Sequence, residues 1–115
     1  MSRTRGTEAE DRAADFLLAK GYTLLRRRYK AREGEIDVVA LDGEVLVVAE
    51  VKLRTTGRTY PEETLTPDKK RRLVSAARQF KHEHELGEKS VRFDLVAIDA
   101  DEIRHYEDVF QPEGD

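Results

Sequence analysis

The chain has 115 residues, with 21 Lys and Arg against 24 Asp and Glu for a formal charge of −3, so it is sized for one core and is no indiscriminate polycation. It has no Cys, which excludes a disulfide framework, a thiolate nucleophile and any cysteine-ligated zinc or iron-sulfur centre. No run approaches the roughly 20 apolar residues of a membrane span, and Arg and Glu interrupt Met1 to Gly21 where a signal peptide would be apolar. A reduced, cytoplasmic protein with no membrane partner is expected.

Glu8 to Lys20 sets Ala9, Ala13, Phe16 and Leu17 at helical spacing, with Gly21 placed as a C-cap. Tyr22 to Tyr29 reads as a strand that runs into Arg26-Arg27-Arg28, and Gly34 suggests a tight bend. Glu35 to Leu41 and Glu44 to Lys52 are Val-rich runs flanking Asp42-Gly43, a strong signal for a two-residue hairpin turn. Thr55 to Thr66 lacks periodicity and is expected to be an exposed loop. Thr66 and Pro67 then form an N-cap and first position for a helix to about His84, with Leu73, Ala76, Ala77 and Phe80 as its buried stripe. Val91 to Ile98 alternates as a strand, Glu102 to Tyr106 can pair with it, and residues 111–115 read as a frayed tail. The order α-β-β-β-α-β-β describes one α/β domain over residues 1–115, a sheet covered by helices.

Charge is unevenly spread: residues 1–34 carry +4, 35–49 carry −4, 50–85 carry +3 and 86–115 carry −6. An acidic segment between two basic ones can hold a divalent cation and grip a polyanion around it. Within it, Val45 to Ala49 reads as a buried strand yet continues into Glu50-Val51-Lys52. Alternation puts Glu50 and Lys52 on one face. A turn at Asp42-Gly43 would pair Leu41 with Glu44, set Asp37 opposite Val48 and Glu35 opposite Glu50, and leave Asp37 and Glu50 about 7 Å apart on the diagonal. Glu10 lies at the inner edge of the first helix and can point to the same cluster. A divalent metal would offset the repulsion of these carboxylates, and the Lys52 amine could orient a nucleophile or stabilise phosphate charge. The chemistry indicated is metal-assisted phosphodiester hydrolysis.

The sequence also resembles the YraN-type family of small bacterial proteins, within the restriction-endonuclease-like superfamily that includes archaeal Holliday-junction resolvases. The matching residues are Gly6, Glu10 and Ala13, Gly21-Tyr22, Gly34-Glu35-Ile36-Asp37, Glu50-Val51-Lys52 with Arg54, Lys69 before Arg72-Leu73, Arg92-Phe93-Asp94 and Phe110. The resemblance implies a restriction-endonuclease-like fold with a central mixed sheet. It also implies the PD-(D/E)xK nuclease pattern on Asp37, Glu50 and Lys52, with Glu10 assisting and Mg²⁺ or Mn²⁺ held by Asp37, Glu50 and the Val51 carbonyl. Related resolvases work as dimers, which makes a homodimer one of the assemblies to consider. The chain departs from the family at Ala9, Arg28 and Tyr60-Pro61, none of which touches the expected ligands.

Arg26, Arg27, Arg28, Lys30, Arg32, Arg54, Lys69 and Arg72 are candidate phosphate contacts on DNA, although such runs also serve as plain solvated faces. Lys69 to Arg72 occupy helix positions where the macrodipole disfavours cations, which an anion would relieve. Glu35 is a supporting acid. His82, His84 and His105 read as exposed or partly packed, with no ligand partner. The leading expectation is a Mg²⁺-dependent endonuclease on branched or damaged DNA. The alternatives are a non-catalytic nucleic-acid-binding module of the same fold, and a scaffold whose contact is the acidic surface from Asp94 to Asp115.

Overall fold

The apolar runs assemble into one five-stranded sheet with a helix on either face. The structure is a computed structural model and describes residues 5–53, 65–99 and 102–112. Its elements are α1 (Arg5–Ala19), β1 (Thr23–Lys30), β2 (Glu35–Asp42), β3 (Val45–Leu53), α2 (Pro67–Glu83), β4 (Val91–Ile98) and β5 (Ile103–Phe110). The expected order α-β-β-β-α-β-β is therefore the observed one. The strands lie in the sheet in chain order, all neighbours antiparallel except β3 and β4. That parallel pair needs a long crossover, and α2 lies within it.

Each helix covers one face. Ala9, Ala13 and Leu17 of α1 pack on Val38, Ala40, Val47, Ala49, Val96 and Ile98. Leu73, Ala76, Ala77 and Phe80 of α2 pack on Tyr29, Ile36, Val39, Leu46, Val48 and Phe93. Phe80 meets the Tyr29 ring edge-on at 5.1 Å between centroids, a favoured aromatic arrangement. With both faces covered, β3 is buried from Leu46 to Glu50, which is why its sequence is a continuous apolar run rather than an alternating one.

The hairpin forms, but its turn lies one residue later than expected. Asp42 pairs with Val45 and Leu41 with Leu46, leaving Gly43 and Glu44 as the turn. Gly43 takes φ 60 and Glu44 does not share the positive φ, the pattern of a type II′ turn, which wants Gly first. Asp42 stays in the strand because its carboxylate accepts from Arg92 Nη1 at 2.9 Å. The shift corrects the expected register: Val48 faces Val39, not Asp37, and Glu35 is not placed opposite Glu50. β5 is also longer than expected, reaching Phe110. Gln111 and Pro112 follow without regular structure, and the rest of the expected tail lies outside the described residues. So does most of the expected loop, with Arg54, Thr55, Thr56, Tyr60 and Pro61.

Candidate functional site

The site forms where β2 and β3 part. Their ladder runs from Asp42↔Val45 to Val38↔Ala49 and stops. The next free backbone donor, Val51 N–H, bonds the Asp37 carboxylate at 2.8 Å in place of a β2 carbonyl. β2 is irregular at this point, since Ile36 and Val39 both pack on the α2 side while Val38 and Ala40 pack on the α1 side. On the neighbouring strand Arg28 takes φ 55. Asp37 sits at the break, so the strict alternation expected to set it on the Glu50 face does not hold for β2. β3 is regular against β4 from Leu46↔Val91 to Leu53↔Ile98, and Glu50 and Lys52 do lie on one side of it.

The parting strands open a cleft of about 600 Å³ between the N-terminal turns of the two helices, lined by Glu10, Glu35, Asp37, Glu50 and Val51 together with Thr66, Asp68, Lys69 and Arg72. Glu50 is only 8% exposed and its carboxylate pairs with Lys69 Nζ at 2.5 Å. Burial, and next the Glu50 carboxylate, push the Asp37 carboxyl up to about 7; Glu10 and Glu35 add to this and the Val51 N–H opposes it. Glu10 is raised too, by burial first and by Glu35 and Glu50 against the pull of Arg28. Arg28 Nε lies 3.4 Å from Glu10 Oε1, and that oxygen has no hydrogen-bond partner among the described residues. Lys52 is exposed and is not part of the lining.

The raised Asp37 carboxyl marks a place where added positive charge would be stabilised, and the all-oxygen donor set of the cleft suits a hard divalent cation such as Mg²⁺ or Mn²⁺. Among the described residues no three acidic or imidazole side chains are gathered to hold one ion together. Mg²⁺ commonly takes one or two carboxylates and keeps several waters, so Asp37 and Glu50 fit as the protein's share.

The arginine run does not form a single rim. Arg27 pairs with Asp11 of α1, Arg28 with Glu10, and Arg26 lies over the Tyr29 ring at 5.7 Å on the α2 side. Lys30, Arg32, Arg71 and Arg72 line a second opening that shares Gly34, Glu35, Asp68 and Arg72 with the first. Gly34 joins the two. A Cβ there would stand 2.7 Å from the Arg72 carbonyl oxygen, so only Gly lets the β1–β2 link pass against α2. That close approach sets the first turn of α2 beside the sheet and brings Lys69 to Glu50. The Lys69–Glu50 pair was not foreseen from sequence; its signal was a lysine in the first turn of a helix.

A second polar centre also escaped sequence reasoning. Asp94, 1% exposed, accepts from Arg92 Nε and Nη2 at 2.9 and 2.8 Å and from Asp108 N–H at 3.0 Å, with His105 Nε2 at 2.8 Å. Arg92 extends the network to Asp42 and the Tyr22 hydroxyl, and Lys20 Nζ reaches His105 Nδ1 at 2.8 Å. Burial alone would raise the Asp94 carboxyl, but the His105 and Arg92 bonds outweigh it and hold it below the usual range. The His105 side chain is 2% exposed, so of the two expectations, exposed or partly packed, the exposed one does not hold. Asp94 likewise belongs to the interior rather than to an acidic contact surface.

This architecture is the restriction-endonuclease-like fold. It matches the 1.6 Å resolution structure of Archaeoglobus fulgidus Hjc, a Holliday junction resolvase from an archaeal hyperthermophile, with a TM-score of 0.63 at 22% identity over 90% of this chain and 73% of that one. The chain belongs to the uncharacterised protein family UPF0102, whose profile matches residues 9–98, in agreement with the resemblance read from its motifs. Relatives in that family include a protein of Anaeromyxobacter dehalogenans, 40% identical over 95% of this chain and 85% of its own length. Another, from Chromohalobacter salexigens, is 45% identical over 84% of this chain and 79% of its own. Among the described residues no helix is long and apolar enough to cross a membrane.

Proposed function

We propose that the cleft is the centre of a Mg²⁺- or Mn²⁺-dependent endonuclease acting on DNA. The observation that carries the reading is the Asp37 carboxyl, pushed up to about 7 beside Glu50 in a cleft whose α2 wall supplies Lys69 and Arg72. Asp37, Glu50 and the Val51 carbonyl would hold the ion, which when bound polarises a phosphoryl oxygen and lowers the pKa of a coordinated water. Glu10, whose Oε1 lies in ion-pair range of Arg28 but takes no hydrogen bond among the described residues, would accept one from the attacking water. Glu35 stands at the mouth, where its charge helps retain the cation. Lys30, Arg32 and Arg72 in the adjoining opening would position the flanking phosphates. Lys52, exposed one strand step beyond Glu50, would meet the substrate from the rim.

The fold likeness to a Holliday junction resolvase makes four-way junctions the first substrate to try and a homodimer the first assembly, since two-fold symmetry would present two cleavage centres to a symmetric junction. A binding module without turnover is the second reading. It is favoured by the Lys69–Glu50 pair, which already neutralises one of the two carboxylates.

The test is cleavage of duplex, single-stranded, flap and four-way-junction DNA with Mg²⁺ or Mn²⁺ by wild type, Asp37→Ala and Lys52→Ala. Cutting by the wild type that falls at least about a hundredfold in both variants supports the nuclease. Equal cutting by all three proteins marks a contaminant and overturns it, and binding without cutting by any of them leaves the binding module.

A further inference from the structure

The first turn of α2 carries a cation where a helix disfavours one. Thr66 caps the helix and Pro67 opens it, so Lys69 takes the third helical position, its N–H donating to Thr66 Oγ1 at 3.1 Å. That position ordinarily suits Glu or Gln, because the helix N-terminus bears partial positive charge. The neighbouring cations are engaged elsewhere: Arg71 and Arg72 pair with Asp68, and Lys70 lies over the Phe110 ring at 5.6 Å. Lys69 instead crosses to the sheet, where Nζ stands 2.5 Å from Glu50 Oε2.

The two ends of this pair differ in freedom. The Glu50 side chain is 10% exposed and fixed on a strand paired on its β4 side, whereas that of Lys69 is 44% exposed on a four-carbon stem that can swing. The amine can leave and the carboxylate cannot. A divalent cation on Glu50 would face an ammonium in contact with the same carboxylate, and the two repel.

We infer that Lys69 is a displaceable counter-ion of the cleft: without a divalent cation its ammonium neutralises Glu50, and a cation bound by Asp37 and Glu50 releases it toward a phosphate of the bound strand. The inference rests on the cation site proposed above and assigns Lys69 a part in it beyond a static phosphate contact. Because linkage is reciprocal, the amine lowers the affinity of the empty cleft for metal, and metal entry then supplies a free cation for the polyanion.

The test needs no turnover. Mn²⁺ binding to the full chain is measured at pH 8 by calorimetry and by the electron paramagnetic resonance signal of free Mn²⁺, for wild type, Lys69→Met, Lys69→Gln, Lys69→Arg, Lys70→Met and Asp37→Asn. Lys69→Met and Lys69→Gln should bind Mn²⁺ about fivefold more tightly than wild type; the glutamine variant keeps a polar side chain in case the methionine one folds poorly. Lys69→Arg should bind no more tightly than wild type, and Lys70→Met should match it within about twofold. Unchanged or weaker binding in both neutral Lys69 variants, with Asp37→Asn reducing affinity, would overturn the counter-ion role and leave the cation site standing. Absence of Mn²⁺ binding in every protein would overturn both.

Discussion

At neutral pH Asp37 is divided between its protonated and ionised forms, because burial and the Glu50 charge push its carboxyl up to about 7. The native state therefore binds a proton that the unfolded chain, with an ordinary aspartate near 3.8, gives up earlier. Between those values the native state is the one holding more protons, so this group's contribution to stability falls as pH rises. Without divalent cations, Asp37→Asn should be more stable than wild type by about 1–3 kcal/mol at pH 8 and much less so at pH 4.5. Urea unfolding at both pH values checks this, and a difference that does not change with pH would contradict the assignment. Asp94 has the opposite sign: its carboxyl is held low, so its contribution is present above its unfolded value near 3.8 and is lost as pH falls further through the depressed native one. Removing the partner that neutralises it, with Arg92→Met, leaves a buried charge short of hydrogen bonds. A loss of about 3–5 kcal/mol is expected, read as a lower urea midpoint with unchanged slope.

The elements act on the site through where they stop and how closely they pass. β2 and β3 create the cleft by ceasing to pair after Val38↔Ala49, and α2 closes it because Gly34 admits the Arg72 backbone. Gly34→Ala should then cost about 1–3 kcal/mol by forcing the β1–β2 link away from α2. It should also weaken any metal or phosphate binding that depends on Lys69 and Arg72, and retained affinity in a destabilised variant would show that α2 does not wall the site. Most elements could be read from sequence because local rules govern them: the Ala and Leu stripe of α1, the Thr66-Pro67 start of α2 and the covered run in β3. The turn slipped by one residue because a tertiary contact, Asp42 to Arg92, kept Asp42 in its strand. The break in β2 at Asp37 and the Lys69–Glu50 pair were hidden for the same reason. Each depends on how separate elements meet, and period-two counting along one strand carries no record of that. The contact of His105 with Asp94 was hidden too, because a lone polar residue in a strand gives no sign of a buried carboxylate on the neighbouring one.

Across the whole molecule the net charge of −3 conceals a polarity. The sheet runs from β1, which carries Arg26, Arg27, Arg28 and Lys30, to β5 at the opposite edge, which carries Glu107 and Asp108 and whose one arginine, Arg104, pairs with the flanking Glu102. Some of the β1 charge is neutralised by Asp11 and Glu10, so on the proposed reading a polyanion would approach by Lys30 and Arg32 around the second opening, and by Arg72 once a phosphate replaces its Asp68 partner. A DNA strand held there releases counterions in proportion to the phosphates neutralised, and affinity should fall linearly in log–log form as salt rises. Lys30→Ala and Arg72→Ala should each reduce the magnitude of that slope by about 1. A charge change on the far edge, Glu102→Lys, should leave the slope where it is. Junction binding titrated by fluorescence anisotropy at several salt concentrations separates the two edges. If Glu102→Lys steepened the slope while Lys30→Ala did nothing, the polyanion would be approaching the β5 edge, and the cleft between β2, β3 and α2 would lose its claim to be the binding face.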